Sequence, residues 1–297
     1  MPAVTMAERS GFESAAAGLW RDAARRLARN RLAVAGSVSV VGLVLMAIFA
    51  PWIAPYHYAK PHYDAVWQFP SPAWPMGTDG LGRDFLSRII YGSRVSITVG
   101  VVVQLVAFAV GVPFGAIAGL YGGKADYLLM RVVDIASAFP RLLFAILLMT
   151  LLGSGLSNIL IAIAVTSWIE VARLTRAQIL SLREKEFIAA AVCLGAGSRR
   201  IVMRHLLPNC LTPLIVSLTL GIPRVIFTEA GLSFLGLGVN PPEPSWGQMV
   251  GESVAYIRYY WYMALFPAMM IGITMLAFTL AGDGLRDALD PSRKNRY

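Results

Sequence analysis

Three stretches of this chain, 32–54, 95–123 and 259–282, contain no Asp, Glu, Lys or Arg. Each exceeds the roughly 20 apolar residues that carry a helix across a bilayer. Inside hydrocarbon a backbone must satisfy its own N–H and C=O groups, and a helix does so within one segment. Composition agrees: 57% of the residues are hydrophobic and 14% charged, where soluble domains carry about a quarter charged. The chain reads as an all-α integral membrane protein.

Six spans are expected, at about 32–54, 95–120, 130–152, 157–177, 209–229 and 261–282. The third carries three charges in its first half. Arg131 and Asp134, spaced i,i+3, are expected to pair on one helix face, and Arg141 to snorkel to the cytoplasmic surface. Segments 1–31, 121–131, 173–205 and 286–297 hold 6, 2, 7 and 4 Lys/Arg, whereas 55–94 and 230–260 hold only Lys60, Arg83, Arg88, Arg94 and Arg258. By the positive-inside rule both termini and the 178–208 loop lie in the cytoplasm. The expected organisation is a cytoplasmic tail (1–31), a first span (32–54), an external loop (55–94), a five-helix core (95–285) containing the 178–208 loop and an external loop (230–260), and a cytoplasmic tail (286–297). The net charge of +9 follows from this asymmetry, so no nucleic-acid partner is expected. Residues 1–31 are polar and the run after Arg31 outlasts a signal h-region, so no cleavable signal is read there. Cys193 and Cys210, in or beside the basic loop, read as buried, inert thiols.

Between the fourth and fifth spans lies EFIAAAVCLGAGSRRIVMRHLLPN, residues 186–209. Its alanines offer a smooth face for close approach, Gly195 lets the backbone turn, and Pro208 ends one helix or starts another. The segment resembles the EAA loop of ABC-importer permeases, E-A-A-x3-G-x9-I-x-L-P. Ala190, Ala191, Gly195, Leu207 and Pro208 fall on that pattern. Ala189 stands where the glutamate is expected and His205 where the isoleucine is, with Glu186 one turn earlier. The resemblance implies a coupling helix that docks on an ATPase subunit through Glu186, Ala189, Ala190, Ala191, Gly195, Ala196, Arg199, His205, Leu207 and Pro208.

Five further segments resemble the C-type permease subunit of the peptide/nickel importer family: LWRDAARRLARNRLAV (19–34), GTDGLGRDFLSRIIYGSRVS (77–96), SWIEVARLTRAQIL (167–180), GLSFLGLGVNPPEPSWGQM (231–249) and GDGLRDALDP (282–291). Each also has a physical reading. Arg21, Arg25, Arg26 and Arg29, interleaved with Leu19, Trp20 and Leu27, suit a helix on the cytoplasmic leaflet. Gly77–Asp84 has turn chemistry and lacks the spacing and terminal glutamate of a calcium loop. Residues 232–238 are too apolar for an exposed loop and are expected to pack on a second permease subunit or dip into the bundle.

The chain's own chemistry is sparse. Gly122-Gly123-Lys124 is followed by Ala125, so no phosphate-binding loop is formed. His57, His62 and His205 make no metal constellation, and His57 and His62 read as surface residues. No nucleophile–base set is visible, so an enzyme is not expected. Charges within spans are expensive and face a partner or a wet cavity. Glu170 and Arg173, spaced i,i+3, are expected to pair, and Arg224 and Glu229 are candidates for a translocation path. Gly111, Gly115 and Gly119 form a small-residue stripe for close helix approach, within this chain or at a dimer seam. Pro113 and Pro223 suggest local kinks.

The resemblance implies a six-transmembrane-helix type I ABC importer permease in a bacterial inner membrane. Its partners would be a second permease subunit (a heterodimer), two ATP-binding subunits that hold ATP and Mg, an external binding protein and membrane lipid. The cargo it implies is an oligopeptide or dipeptide, with nickel or glutathione as alternatives. An ion-coupled transporter would show two related halves and broken helices; no clear internal repeat is present, and the 186–209 segment would go unexplained.

Overall fold

An asparagine starts the first long helix. The Asn30 Oδ1 accepts from the N–H groups of Leu32 and Ala33 at 3.1 and 3.3 Å, satisfying donors that the first helical turn leaves without partners. The cap separates a helical stretch at 24–29 from α1, Arg31–Ile48, which a further turn, Ala50–Ile53, extends. The computed structural model describes residues 24–289, so Leu19, Trp20 and Arg21 of the basic lead-in and residues 290–297 of the tail lie outside it.

Asp84 caps the second helix in the same way, accepting from the Ser87 N–H at 2.8 Å. This helix, α2, runs from Phe85 to Tyr121, 37 residues, or about 55 Å at 1.5 Å per residue. It starts well before the charge-free run begins at Val95. Next come α3, Gly123–Ser137, and α4, Arg141–Leu152, bent by 77° at a short break. Pro140 sets that break: it lacks an N–H and drives the residue before it out of helical conformation. The third expected span is therefore two helices. The bundle continues with α5, Leu156–Arg183; α6, Glu186–Cys193; α7, Leu207–Phe234; α8, Trp246–Ser253; and α9, Tyr262–Leu289. Among the described residues five helices are long and apolar enough to cross a membrane, or six with the bent pair taken as one.

Close approach of backbones sets the packing. Helices α2 and α5 run parallel: Gly111 meets the Trp168 carbonyl and Val171, Gly115 the Ala172 carbonyl, and Gly119 Ile179. A Cβ on Gly111 would stand 2.7 Å from both of its neighbours, so the stripe is filled within this chain. Helices α1 and α9 run antiparallel, with Gly36 against Leu280 and Gly284 against Ala33. Gly100 on α2 lies against Ile222 and Ile226, and Gln104 lies against Gly221, so α7 runs antiparallel on another face of α2. Large apolar side chains stay exposed on the outer faces, among them Val38 and Val41 on α1, Leu105 and Val110 on α2, and Met269 and Leu276 on α9. Lipid tails or a partner subunit tolerate such a surface; water does not.

The charges of the bent pair are arranged differently from the sequence expectation. Arg131 donates to the Tyr127 hydroxyl at 3.0 Å and lies over that ring, while Asp134 pairs with Arg173 on α5 at 3.0 Å. Arg131 and Asp134 are not partners of each other. Arg173 is thereby taken from Glu170, which pairs with Arg141 and Arg224 instead. Arg176 completes the series with Asp126 at 2.5 and 2.6 Å. Residues 170, 173 and 176 of α5 thus meet 141, 134 and 126 as a ladder, because positions three apart share a helix face.

Candidate functional site

Two places bring functional side chains together: the elbow at 186–208 and a charged cleft between α2, α4, α5 and α7.

Helix α6 opens with Glu186 in its first turn, where a carboxylate complements the helix dipole. It ends in a Schellman motif. The Gly195 N–H donates to Val192 O at 2.9 Å and the Ala196 N–H to Ala191 O at 3.0 Å, with Gly195 at φ 77°. Glycine is required there by conformation and not by space, since nothing lies within 4 Å of a Cβ built on it. A helical turn, Ser198–Ile201, and a π turn, Val202–Leu206, then run into α7 at Leu207-Pro208. The Asn209 side chain donates to the His205 carbonyl at 2.6 Å. One face of the elbow is anchored: Ile188, Ile201, Leu206 and Cys210 join Ile179 and Leu214 in a buried cluster with Ala116. The other face is open. Ala189, Ala190, Phe187, Val192, Met203, Arg200 and Arg204 are exposed, and Leu194 is 88% exposed. Ala191 is buried, while Ala196 and His205 are half-buried; the side chain of Arg199 lies outside the described set. Cys193 is also exposed, contrary to the expectation of two buried thiols, because it falls on the open side of the last turn of α6. Cys210 is buried as expected.

The cleft is small, with room of about 60 Å³ for water-sized occupants, opens to solvent, and is lined by Gln104, Arg141, Thr166, Glu170, Arg224 and Thr228, among others. Glu170 bridges two guanidiniums: its Oε1 accepts from Arg141 Nη2 at 2.8 Å and its Oε2 from Arg224 Nη1 at 2.7 Å. Arg141 does not run out alone to a membrane surface; it folds back on Glu170. The α5 helix continues to Arg183, so Glu170 stands near its middle. Arg224 is 61% exposed and faces the cleft.

Glu229 is in a different place. It is fully buried, accepting from Ser233 at 2.7 Å and from Ser96 at 3.4 Å, with the Ser245 hydroxyl also bonded to it. A carboxylate taken from water needs such donors. It pins α2 and the start of α8 to α7, and does not line the cleft. Sequence reasoning grouped it with Arg224 because both are charges in one span; i,i+5 spacing puts them on different faces.

A third network was not anticipated. Residues 77–84 form a tight turn in which the Asp79 Oδ1 accepts from the N–H groups of Leu81 and Arg83, both at 2.9 Å. Its Oδ2 takes Arg83 and Arg88, both at 2.6 Å. Burial alone would raise the Asp79 carboxyl, but Arg88, Arg83 and the two backbone donors outweigh it and hold it below its ordinary value. Arg88 reaches on to Glu252 on α8 at 3.1 Å. Beside this turn His62 is half-buried, edge-on to Tyr56 and Trp74, so only His57 is the exposed residue expected. Residues 232–238 dip into the bundle through Leu232, which is fully buried, while Phe234 and Leu235 stay exposed.

A bundle of bilayer-length helices with an apolar exterior, a polar cleft within it and a side elbow defines a membrane permease. A family model described as "Binding-protein-dependent transport system inner membrane component" matches residues 111–295, and "N-terminal TM domain of oligopeptide transport permease C" matches residues 18–70. The chain belongs to the family of binding-protein-dependent transport system inner membrane components. It is 44% identical to the oligopeptide transport system permease protein OppC of Bacillus subtilis, over 92% of this chain and 90% of that one. It is 42% identical to the dipeptide transport system permease protein DppC of the same organism, over 91% and 85%. To the glutathione transport system permease protein GsiD of Escherichia coli the identity is 42%, over 93% and 91%. Among solved structures, the inward-facing MetNI methionine ABC transporter matches with a TM-score of 0.59 at 20% identity, over 68% of this chain and 96% of that one. The fold is that of a type I ABC importer permease, and the chain is a transport component with no enzymatic role.

Proposed function

We propose that this chain is one of two permease subunits of an ATP-driven importer for oligopeptides or dipeptides. A binding protein delivers the peptide on the side of residues 55–84 and 235–261. ATP and Mg sit on two partner ATPases that dock on the elbow. Both termini and the elbow face the cytoplasm of a bacterial inner membrane, an orientation that the Lys/Arg asymmetry supports. The observation that carries the reading is the elbow itself, anchored by Ile188, Ile201 and Leu206 on one face and exposed on the other. An anchored lever with a free apolar and basic face suits a partner whose two-state motion must reach the bundle. Glu186, Ala189, Ala190, Gly195, Ala196, Arg199, His205, Leu207 and Pro208 belong to this docking element, and Ala191 keys it to the bundle. Arg224 lines the path; Glu229 holds helices together. Peptide cargo is supported by relatives that carry oligopeptides, dipeptides and glutathione, itself a tripeptide.

Purification of the tagged chain from native membranes tests the assembly. The expected result is recovery of a second permease and two P-loop ATPases, with ATP hydrolysis stimulated by peptide-loaded binding protein. Recovery of the chain with no ATPase would refute it.

A further inference from the structure

The cleft holds two guanidiniums and one carboxylate. Among the described residues that line it, Glu170 is the only acid and Arg141 and Arg224 the only bases, so the group keeps one excess positive charge. Each guanidinium gives Glu170 a single N–H, Arg141 to Oε1 and Arg224 to Oε2. An arginine has five donors in a planar fork that fits a carboxylate with two parallel bonds. Arg224 therefore uses a fraction of its donors on Glu170, and it is the most exposed of the three. Glu170 in turn keeps Arg141 if Arg224 leaves. Three of the cleft hydroxyls are engaged within their own helices: Thr166 and Ser167 donate to the Ile163 carbonyl, and Thr228 to the Arg224 carbonyl. Ser217 and the Gln104 amide also line the cleft as neutral groups, and Arg224 is its most exposed charged donor.

We propose that this cleft is a carboxylate subsite, in which Arg224 turns from Glu170 to a free carboxylate of the cargo, such as a peptide C-terminus, while Arg141 keeps Glu170 neutralised. The proposal rests on the peptide-importer reading, and it adds what the permease itself recognises. An excess cation on the wall of a cleft among apolar helices attracts an anion that enters it. The exchange replaces one single-donor contact by a fork-to-fork pair, so no charge is left unpaired. Occupation would also release the contact that ties α7 to α5 at this level, since Arg224 and Glu170 supply it.

The test uses the assembled importer in vesicles, carrying Thr228→Cys in the cleft, with modification of that cysteine by a small thiol reagent read at residue 228 by mass spectrometry. Tri-alanine with a free C-terminus is expected to slow modification at concentrations where tri-alanine amide does not, by at least about tenfold in effective concentration, the scale of one hydrogen bond to a charged group. Arg224→Gln is expected to erase that difference and Arg224→Lys to keep part of it. Glu170→Gln is expected to move the other way, because Arg224 is then unclaimed, and free tri-alanine should protect at lower concentration than in the parent. Equal protection by acid and amide, or loss of protection in Glu170→Gln as in Arg224→Gln, would overturn the subsite. Uptake of tri-alanine in the same vesicles separates the two readings: carboxylate-dependent protection without uptake keeps the subsite and removes the peptide-importer function, and uptake without acid–amide discrimination does the reverse.

Discussion

Arg88 is almost fully buried, with Asp79 on one guanidinium nitrogen and Glu252 on another. Its charge made it read as part of an external loop; Asp79, nine residues away, neutralises it inside, and Glu252, 164 residues away, adds a second contact. Charge is legible in a sequence; which neighbouring or distant carboxylate folds onto it is not. Asp79→Asn should lower stability at neutral pH by about 3 kcal/mol, the scale for breaking a buried ion pair. The Asp79 pKa is held below its ordinary value of 3.8. Its contribution is therefore complete above that value and is lost as pH falls through the lower, folded value. Thermal unfolding of purified wild type and Asp79→Asn should differ at pH 7 and converge under acid below 3.8; a gap that stays constant into strong acid would refute the assignment. Glu229 makes the same point about faces: its place in an apolar span was visible, but its three serines, from positions 96, 233 and 245, were not.

At the scale of elements, spacing carried further than charge. The four-residue repeat of Gly111, Gly115 and Gly119 announced a close helix contact, although sequence could not say that α5 would fill it. Gly115→Leu should destabilise the bundle by about 1–3 kcal/mol, the range for overpacking, because a Cβ there meets the Ala172 carbonyl and Thr175. Gly42→Leu is the matched control, with nothing within 4 Å of its Cβ position. Unfolding midpoints in detergent should fall for the first and hold for the second; equal midpoints would remove the stripe's packing role. The bent third span was half-legible. Pro140 could have signalled the break, but the ion ladder that holds α3 against α5 depends on Asp126 and Asp134 finding Arg176 and Arg173. Arg131, at the right local spacing for Asp134, turned to Tyr127 instead.

For the whole molecule, the apolar runs and the elbow motif were enough to reach a helical permease, because bilayer thickness restricts what such runs can become. The internal geometry of the cleft was beyond reach, since it needs the relative rotation of α4, α5 and α7. We propose that the elbow transmits a partner's ATP cycle to this bundle. Gly195→Val probes this coupling, because φ 77° is hostile to a β-branched residue while its Cβ would clash with nothing. The measurement is ATP-dependent uptake of tri-alanine by vesicles containing the purified importer and its binding protein. Wild type should take up peptide only with ATP, and Gly195→Val should lose at least about tenfold in rate, equivalent to about 1.4 kcal/mol of coupling. Uptake by wild type without ATP, or a wild-type rate in Gly195→Val, would contradict the account.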